Sequence, residues 1–279
     1  MGKYAKISAF NGQFGNHIQQ ISNAIYYCLE KGIGFKFENV QPLDSYHMFN
    51  NFTMEGKETD LVSSFFSIGE DRIEDLPLEN YENFIRSKKE ICEKIVFPLI
   101  PKHDHHGHKY DYEEISDDAL VIHFRGGDVW DTNYGVHPHY SPFPYSFIKE
   151  VSEQYDDIVV VCQDLTSPIL NAFVSESQKE IKIISGELFS DMNFLMNAKN
   201  LVQTGVGTFL PAIALMSNKV KNYYTCDNIL KSQLNYKFLE PHINVHVTEV
   251  DDSVSFLGVE NGQSNWEASE EQVKILLEN

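Results

Sequence analysis

The segment His123-Phe124-Arg125-Gly126-Gly127-Asp128 holds the residue types that handle a phosphate. Side chains alternate along a strand, so His123 and Arg125 point to the same side. A guanidinium at a strand end grips two oxygens at once and never deprotonates. The chain has three arginines, Arg72, Arg86 and Arg125, so the position of each is informative. The plain structural alternative is an Arg125–Asp128 ion pair that closes the loop. Two glycine turns add to the pattern. In Gly12-Gln13-Phe14-Gly15-Asn16-His17, glycines let backbone N–H groups approach an anion at the positive end of the helix that follows. An ordinary strand-to-helix turn uses the same residues. Thr204-Gly205-Val206-Gly207-Thr208-Phe209 repeats the arrangement, with the Thr208 hydroxyl added and Pro211 in the first helical turn. Two anion cradles and a strand-end arginine together point to a diphosphate.

These loops need strands to hold them. The sequence predicts a strand over 4–10 and a helix over 18–31, where Ile18, Ile21, Ile25 and Leu29 recur at helical spacing. Gly32 and Gly34 end that helix, and a short strand covers 35–37. A helix is expected over 78–97 and an exposed loop over 102–110. Strands are then expected over 119–124, 158–162, 181–184, 200–204 and 221–224. Helices over 145–154, 165–177, 191–197 and 208–216 alternate with them, and an amphipathic helix over 266–277 closes the chain. Strict alternation predicts an α/β fold with a parallel, Rossmann-like sheet over about 117–226. In such a sheet ligands bind at the carboxyl ends of the strands, where the three loops fall.

Composition limits the function classes. The net charge of −19 disfavours nucleic acid and anionic membrane. Cys28, Cys92, Cys162 and Cys226 form no CxxC pair, as expected in a reducing compartment. The opening MGKYAKISAFNG has no apolar core, and no run of 18 apolar residues occurs. The expectation is a soluble, cytoplasmic chain with no signal peptide or membrane anchor. His103, His105, His106 and His108 match no common zinc spacing and lack a Cys, so a solvated loop is the expectation. A dinucleotide-dependent oxidoreductase would need G-x-G-x-x-G after the first strand, and Gly12-x-x-Gly15 does not supply it.

The three loops, in this order, resemble the fucosyltransferase superfamily, which includes α1,2-, α1,6- and protein O-fucosyltransferases. Gly12-Gln13-Phe14-Gly15-Asn16 matches its G-x-x-G-N motif, and His123 to Asp128 matches its H-x-R-x-x-D hallmark. The third motif is matched by Asp191-Met192-Asn193-Phe194-Leu195, then Leu201 to Thr204, then Gly207-Thr208-Phe209. The likeness covers residues 7–30 and 119–225. It implies a GT-B arrangement of two Rossmann-like domains facing a cleft, with inverting, metal-independent glycosyl transfer and no cofactor. Residues 1–112 would form the acceptor side and 113–245 the nucleotide-sugar domain, with 246–279 packing back on the body. Arg125 would neutralise the β-phosphate leaving group, with Thr208 and Phe209 holding the diphosphate. Asp191 and His123 would contact base or ribose. Gly12, Gly15, Asn16, His17, Asp164 and Gly207 complete the implied donor-binding set. The hallmark usually carries a second arginine where this chain has Gly126. The donor is therefore GDP-fucose by resemblance, or a UDP-sugar such as UDP-xylose, and the acceptor is a glycan hydroxyl. A catalytically silent, glycan- or partner-binding member of the same fold is the alternative.

Inverting transfer needs a group to take the acceptor's proton, unless the leaving phosphate does so. Asp131, three residues past the hallmark, is the first candidate, Asp128 the second and His17 the third. His137 and His139 flank Pro138 in an aromatic loop suited to acceptor binding.

Overall fold

A computed structural model describes residues 4–7, 10, 12–37, 49–59, 62–63, 67–68, 71–72, 78–101, 114–130, 132, 136, 140–229, 234–251, 254 and 265–279. The chain divides into two compact units. The first is Met1–Tyr110 with Pro211–Asn218 and Ser232–His242. The second is Asp111–Leu210 with Lys219–Lys231 and Ile243–Asn279. Residues 211–218 and 232–242 thus group with the first unit although their sequence neighbours belong to the second. No helix among the described residues is long and apolar enough to cross a membrane.

In the first unit, β1 (Lys6–Ile7) leads through a turn into α1 (Phe14–Lys31). The helix begins four residues earlier than its apolar spacing suggests. Gly12 takes a left-handed φ of 73°, and the N–H groups of Asn16 and His17 donate to the Gln13 carbonyl at 2.9 and 3.1 Å. Gly32 ends α1 in the left-handed conformation, as expected, and its N–H caps the last turn. β2 (Phe35–Phe37) pairs antiparallel with β3 (Phe52–Met54). β4 (Val62–Ser63) runs parallel to β1, and β5 (Ser67–Ile68) pairs with β6 (Asp71–Arg72). Stacked rings of Phe10, Phe14 and Phe49 fill the space beside α1. α2 (Leu78–Ile91) continues as one π-helical turn, Cys92–Val96, and a 3-10 turn, Phe97–Leu99. Pro98 lacks the N–H that a longer helix would need.

Lys88 of α2 is fully buried. Its amine donates to Asn23 Oδ1 on α1 and lies 4.8 Å from the Phe84 ring centroid and 5.6 Å from that of Phe238.

The second unit holds a six-stranded, all-parallel sheet flanked by helices, the Rossmann-like α/β pattern expected. Its elements are β7 (Leu120–Phe124), α3 (Tyr145–Glu153), β8 (Ile158–Cys162), α4 (Pro168–Glu176), β9 (Ile181–Ile184), α5 (Leu188–Asn197), β10 (Asn200–Gln203), α6 (Phe209–Met216), β11 (Asn222–Cys226), β12 (Asn244–Thr248) and α7 (Glu270–Glu278). Helix α6 starts in this unit and continues into residues that pack with the first. The strand order is β12-β11-β10-β7-β8-β9. Strand β12 extends the sheet beyond the last expected strand. Every residue of β8 is buried, as its run of β-branched residues predicts. Asn200, Asn222 and Asn244 stand in register at the amino ends of three neighbouring strands. Their amides form a ladder, with Asn222 donating to Asn200 Oδ1 at 2.7 Å and Asn244 to Asn222 Oδ1 at 3.2 Å. This fixes the register that decides which loops meet at the other end.

Burial pushes the Lys88 amine down to about 7. Its folded pKa lies below the unfolded value, so stability rises with pH from about 7 to about 10.5. Below about 7 the penalty is complete. Lys88→Met is therefore expected to raise the urea midpoint at pH 7 by a few kcal/mol equivalent. The gain should shrink steadily toward pH 10, and unfolding curves at pH 7, 8.5 and 10 measure it.

Candidate functional site

Strand β7 lies between β8 and β10. The chain runs outward from β7 through β8 to β9, then returns to place β10 on the other side. The carboxyl ends of β7 and β10 therefore flank a topological switch point, where two loops leave in opposite directions and open a crevice. His123 of β7 stands opposite Gln203 of β10, and the Thr204 hydroxyl donates to the His123 carbonyl at 2.9 Å. The hallmark segment and the second glycine turn are thus neighbours in space.

Arg125 follows β7 directly. Its Nε and Nη2 donate to Asp128 at 2.8–3.2 Å, and its guanidinium carbon lies over Tyr140, 3.7 Å from the ring centroid. Nη1 takes no part in the Asp128 pair. A Cβ added to Gly207 would sit 3.2 Å from Nη1, so the guanidinium edge reaches the turn that opens α6. The pair leaves 27% of the Arg125 and 51% of the Asp128 side chain exposed, and ion pairs that open to water contribute little to stability. The pair orients the arginine more than it consumes it.

The turn under Arg125 is held from several sides. Gly127 takes a φ of 57° and its N–H donates to Asp164 Oδ2 at 2.9 Å. Trp130 Nε1 donates to the Arg125 carbonyl at 3.2 Å. Trp266 Nε1 donates to the Val129 carbonyl at 2.8 Å, with its ring edge-on to Trp130. Gln203 fixes the facing turn. Its amide donates to the Gly205 carbonyl at 2.7 Å, and its Oε1 accepts from Tyr223 at 2.7 Å. Sequence reasoning missed Gln203, Trp130, Tyr140 and Trp266. Scarcity was the one available signal, since the chain has two tryptophans.

His123 packs against Phe209, ring centroids 5.0 Å apart. Burial, and then the Arg125 charge, push the imidazole down to about 4, so it is neutral at pH 7. Asp191 lies within the first turn of α5, which starts three residues before the expected position. It is 9% exposed, and its Oδ1 has no hydrogen-bond partner among the described residues. Burial raises its carboxyl to about 6, opposed by a bond from the Gly186 backbone. A buried acceptor without a donor is costly, and a ligand N–H or O–H would relieve it.

The second unit thus brings together His123, Arg125, Asp128, Asp164, Gly207, Thr208 and Phe209, with Asp191 on the next carboxyl-end loop but one. Gly12, Gly15, Asn16 and His17 belong to the first unit. There the Asn16 side chain fills the space a Cβ on Gly12 would take. His17 bonds the Gly12 backbone, packs on Phe10 at 5.1 Å, and is lowered by burial. Asp131, His137 and His139 lie outside the described residues, as do His103, His105, His106 and His108.

A narrow crevice between Arg125, Trp130, Tyr140, Ser167, Thr204 and Val206 encloses about 10 Å³, the space of one water. A wider depression of about 550 Å³ at the amino ends of the strands carries Asp117, Asp118, Asp156 and Asp157 against Lys199 and Lys221. Its negative charge disfavours an anionic ligand. Comparisons with known protein families, curated proteins and solved structures found no match.

The Asp191 carboxyl is raised in the folded state, so its contribution is full below about pH 4 and is lost as pH rises through about 6. Asp191→Asn is expected to stabilise the protein at pH 7 by roughly 1–3 kcal/mol. That gain should shrink at pH 5, as read from paired denaturant curves.

Proposed function

We propose that the chain is an inverting, metal-independent glycosyltransferase that moves a sugar from a nucleoside-diphosphate donor to a glycan hydroxyl. The observation that carries this reading is the Arg125 guanidinium edge beside Gly207, at the start of α6 and at the switch point of a parallel sheet. A diphosphate there meets one fixed cation and the positive end of a helix. The resemblance to fucosyltransferases supplies the reaction class and the GT-B arrangement.

In this reading the acceptor oxygen attacks the anomeric carbon while the bond from that carbon to the β-phosphate breaks. Arg125, with the Thr208 hydroxyl and the Phe209 amide, takes up the charge on the departing diphosphate. Neutral His123 contributes hydrogen bonding without adding a second cation. Asp191 accepts an N–H or O–H from base or ribose. Asp131 receives the acceptor's proton, while Asp128, bound to Arg125, serves as its orienting partner. The donor is GDP-fucose or a UDP-sugar such as UDP-xylose, and the setting is the cytoplasm. One observation favours a catalytically silent binder instead. Asp128 pairs with the one arginine of the turn, and Asp164 bonds the Gly127 N–H beside it, so two carboxylates flank a single cation. Donor turnover separates the two.

A thermal-shift screen with GDP, UDP, GDP-fucose and UDP-xylose tests the reading. A donor at 100 times its Kd should stabilise by about 2.7 kcal/mol, and Arg125→Ala should sharply reduce that shift. No response to any nucleotide would overturn the proposal. Transfer by the wild-type protein is expected to continue in excess chelator. Asp131→Asn should lower turnover by about 100-fold or more with the donor shift intact.

A further inference from the structure

Asp164 follows β8, in a loop left open because Ser167 caps α4 and Pro168 begins it. Its carboxylate is occupied. Oδ1 accepts from the Thr166 N–H at 2.9 Å and from the Thr166 hydroxyl, and Oδ2 accepts from the Gly127 N–H at 2.9 Å. The same carboxylate fills the space beside Gly126, so a Cβ there would fall on both of its oxygens. Residue 126 can therefore add no side chain to the site while Asp164 holds this position. The left-handed Gly127 backbone is held by a bond from outside its own loop.

We infer that Asp164 is a positioning residue that clamps the Gly126–Gly127 turn, aims Arg125 at the Gly207 turn, and leaves a diphosphate one guanidinium to bind. This rests on the reading of Arg125 as the anion-binding cation. Asp164 does not touch the ligand. Its negative charge opposes an anion nearby, so its benefit is geometric. Charge and geometry thus push in opposite directions, and two substitutions separate them. Asp164→Asn removes the charge but keeps an acceptor for Gly127. Asp164→Ala removes both.

The probe is inorganic pyrophosphate, titrated calorimetrically into the full chain. Asp164→Asn should bind within about threefold of wild type or more tightly, and Asp164→Ala about tenfold more weakly, since small misplacements of a binding group are costly. In an Arg125→Ala background, Asp164→Ala should add at most about a twofold further loss, because the two residues act as one unit. Gly126→Ala pushes the turn from the other side without changing charge. It should reproduce the loss in a protein with wild-type circular dichroism, and it covers the case in which Asp164→Ala fails to fold. Wild-type affinity in Gly126→Ala, or effects of Asp164→Ala and Arg125→Ala that multiply, would overturn the positioning role while leaving the Arg125 reading intact. Pyrophosphate binding in the expected pattern, with no response to any nucleotide, would sustain the positioning role and remove the nucleotide-sugar reading. No pyrophosphate binding to wild type would overturn both.

Discussion

Because β7 is flanked by β8 on one side and β10 on the other, the loops after β7 and β10 diverge. Everything in the candidate site depends on that divergence. Sequential strand order would have filled the gap with the next crossover. Here residues 80 apart in sequence, His123 and Gln203, become direct neighbours. The Asn200–Asn222–Asn244 ladder secures this from the opposite end. A slip of one residue in β10 would exchange the faces of its side chains. Thr204 would then lose the His123 carbonyl, and Gln203 would lose Tyr223. The register at the amino ends thus sets the geometry at the carboxyl ends.

On the proposed reading, an anion site in a chain of net charge −19 would have to work against its own field. The arrangement around Arg125 does so with fixed geometry rather than accumulated charge. Asp128 fixes two guanidinium nitrogens, Tyr140 lies under the guanidinium carbon, and Nη1 is turned to Gly207. Burial keeps His123 neutral, so it cannot act as a second cation. Asp191 carries the opposite strain, since its buried Oδ1 has no donor among the described residues. One carboxylate orients a cation, another clamps a turn, and a third is left unsatisfied. The difference lies in their partners, not in residue type, which explains why composition alone could not sort them.

Much of the sheet was legible. The run Ile158–Cys162 gave a strand with the observed bounds because a continuous β-branched run needs burial and little else. Ile181–Ile184 also has the expected bounds, although it is a partly exposed edge strand broken by Lys182. Gly32 gave the end of α1 for an equally local reason. Errors arose where a distant partner decides. Gly15 looked like part of a loop, yet it lies in the first turn of α1 because Gly12 already makes the turn. Strand β12 alternates weakly and owes its existence to pairing with β11. Trp266 seemed to begin the last helix but precedes it, where it braces Val129 beside the hallmark turn. Arg125, Gly207 and Thr208 stand out as candidates because glycine turns and a rare arginine leave local marks. Gln203, Tyr140 and the clamping role of Asp164 leave none.

Gly126 shows how far a local mark can be carried. In the resemblance to fucosyltransferases it is a position where a second arginine is missing, which reads as a loss. In the folded chain the space beside it belongs to Asp164. An arginine placed at 126 alone would collide with that carboxylate before reaching any ligand. The glycine and the aspartate are therefore two halves of one solution, 38 positions apart, and neither makes sense without the other. A clamp made this way gives rigidity at the cost of charge. On the proposed reading, the site holds an anion well only if Arg125 is aimed well, because a loosely held binding group stabilises its ligand poorly.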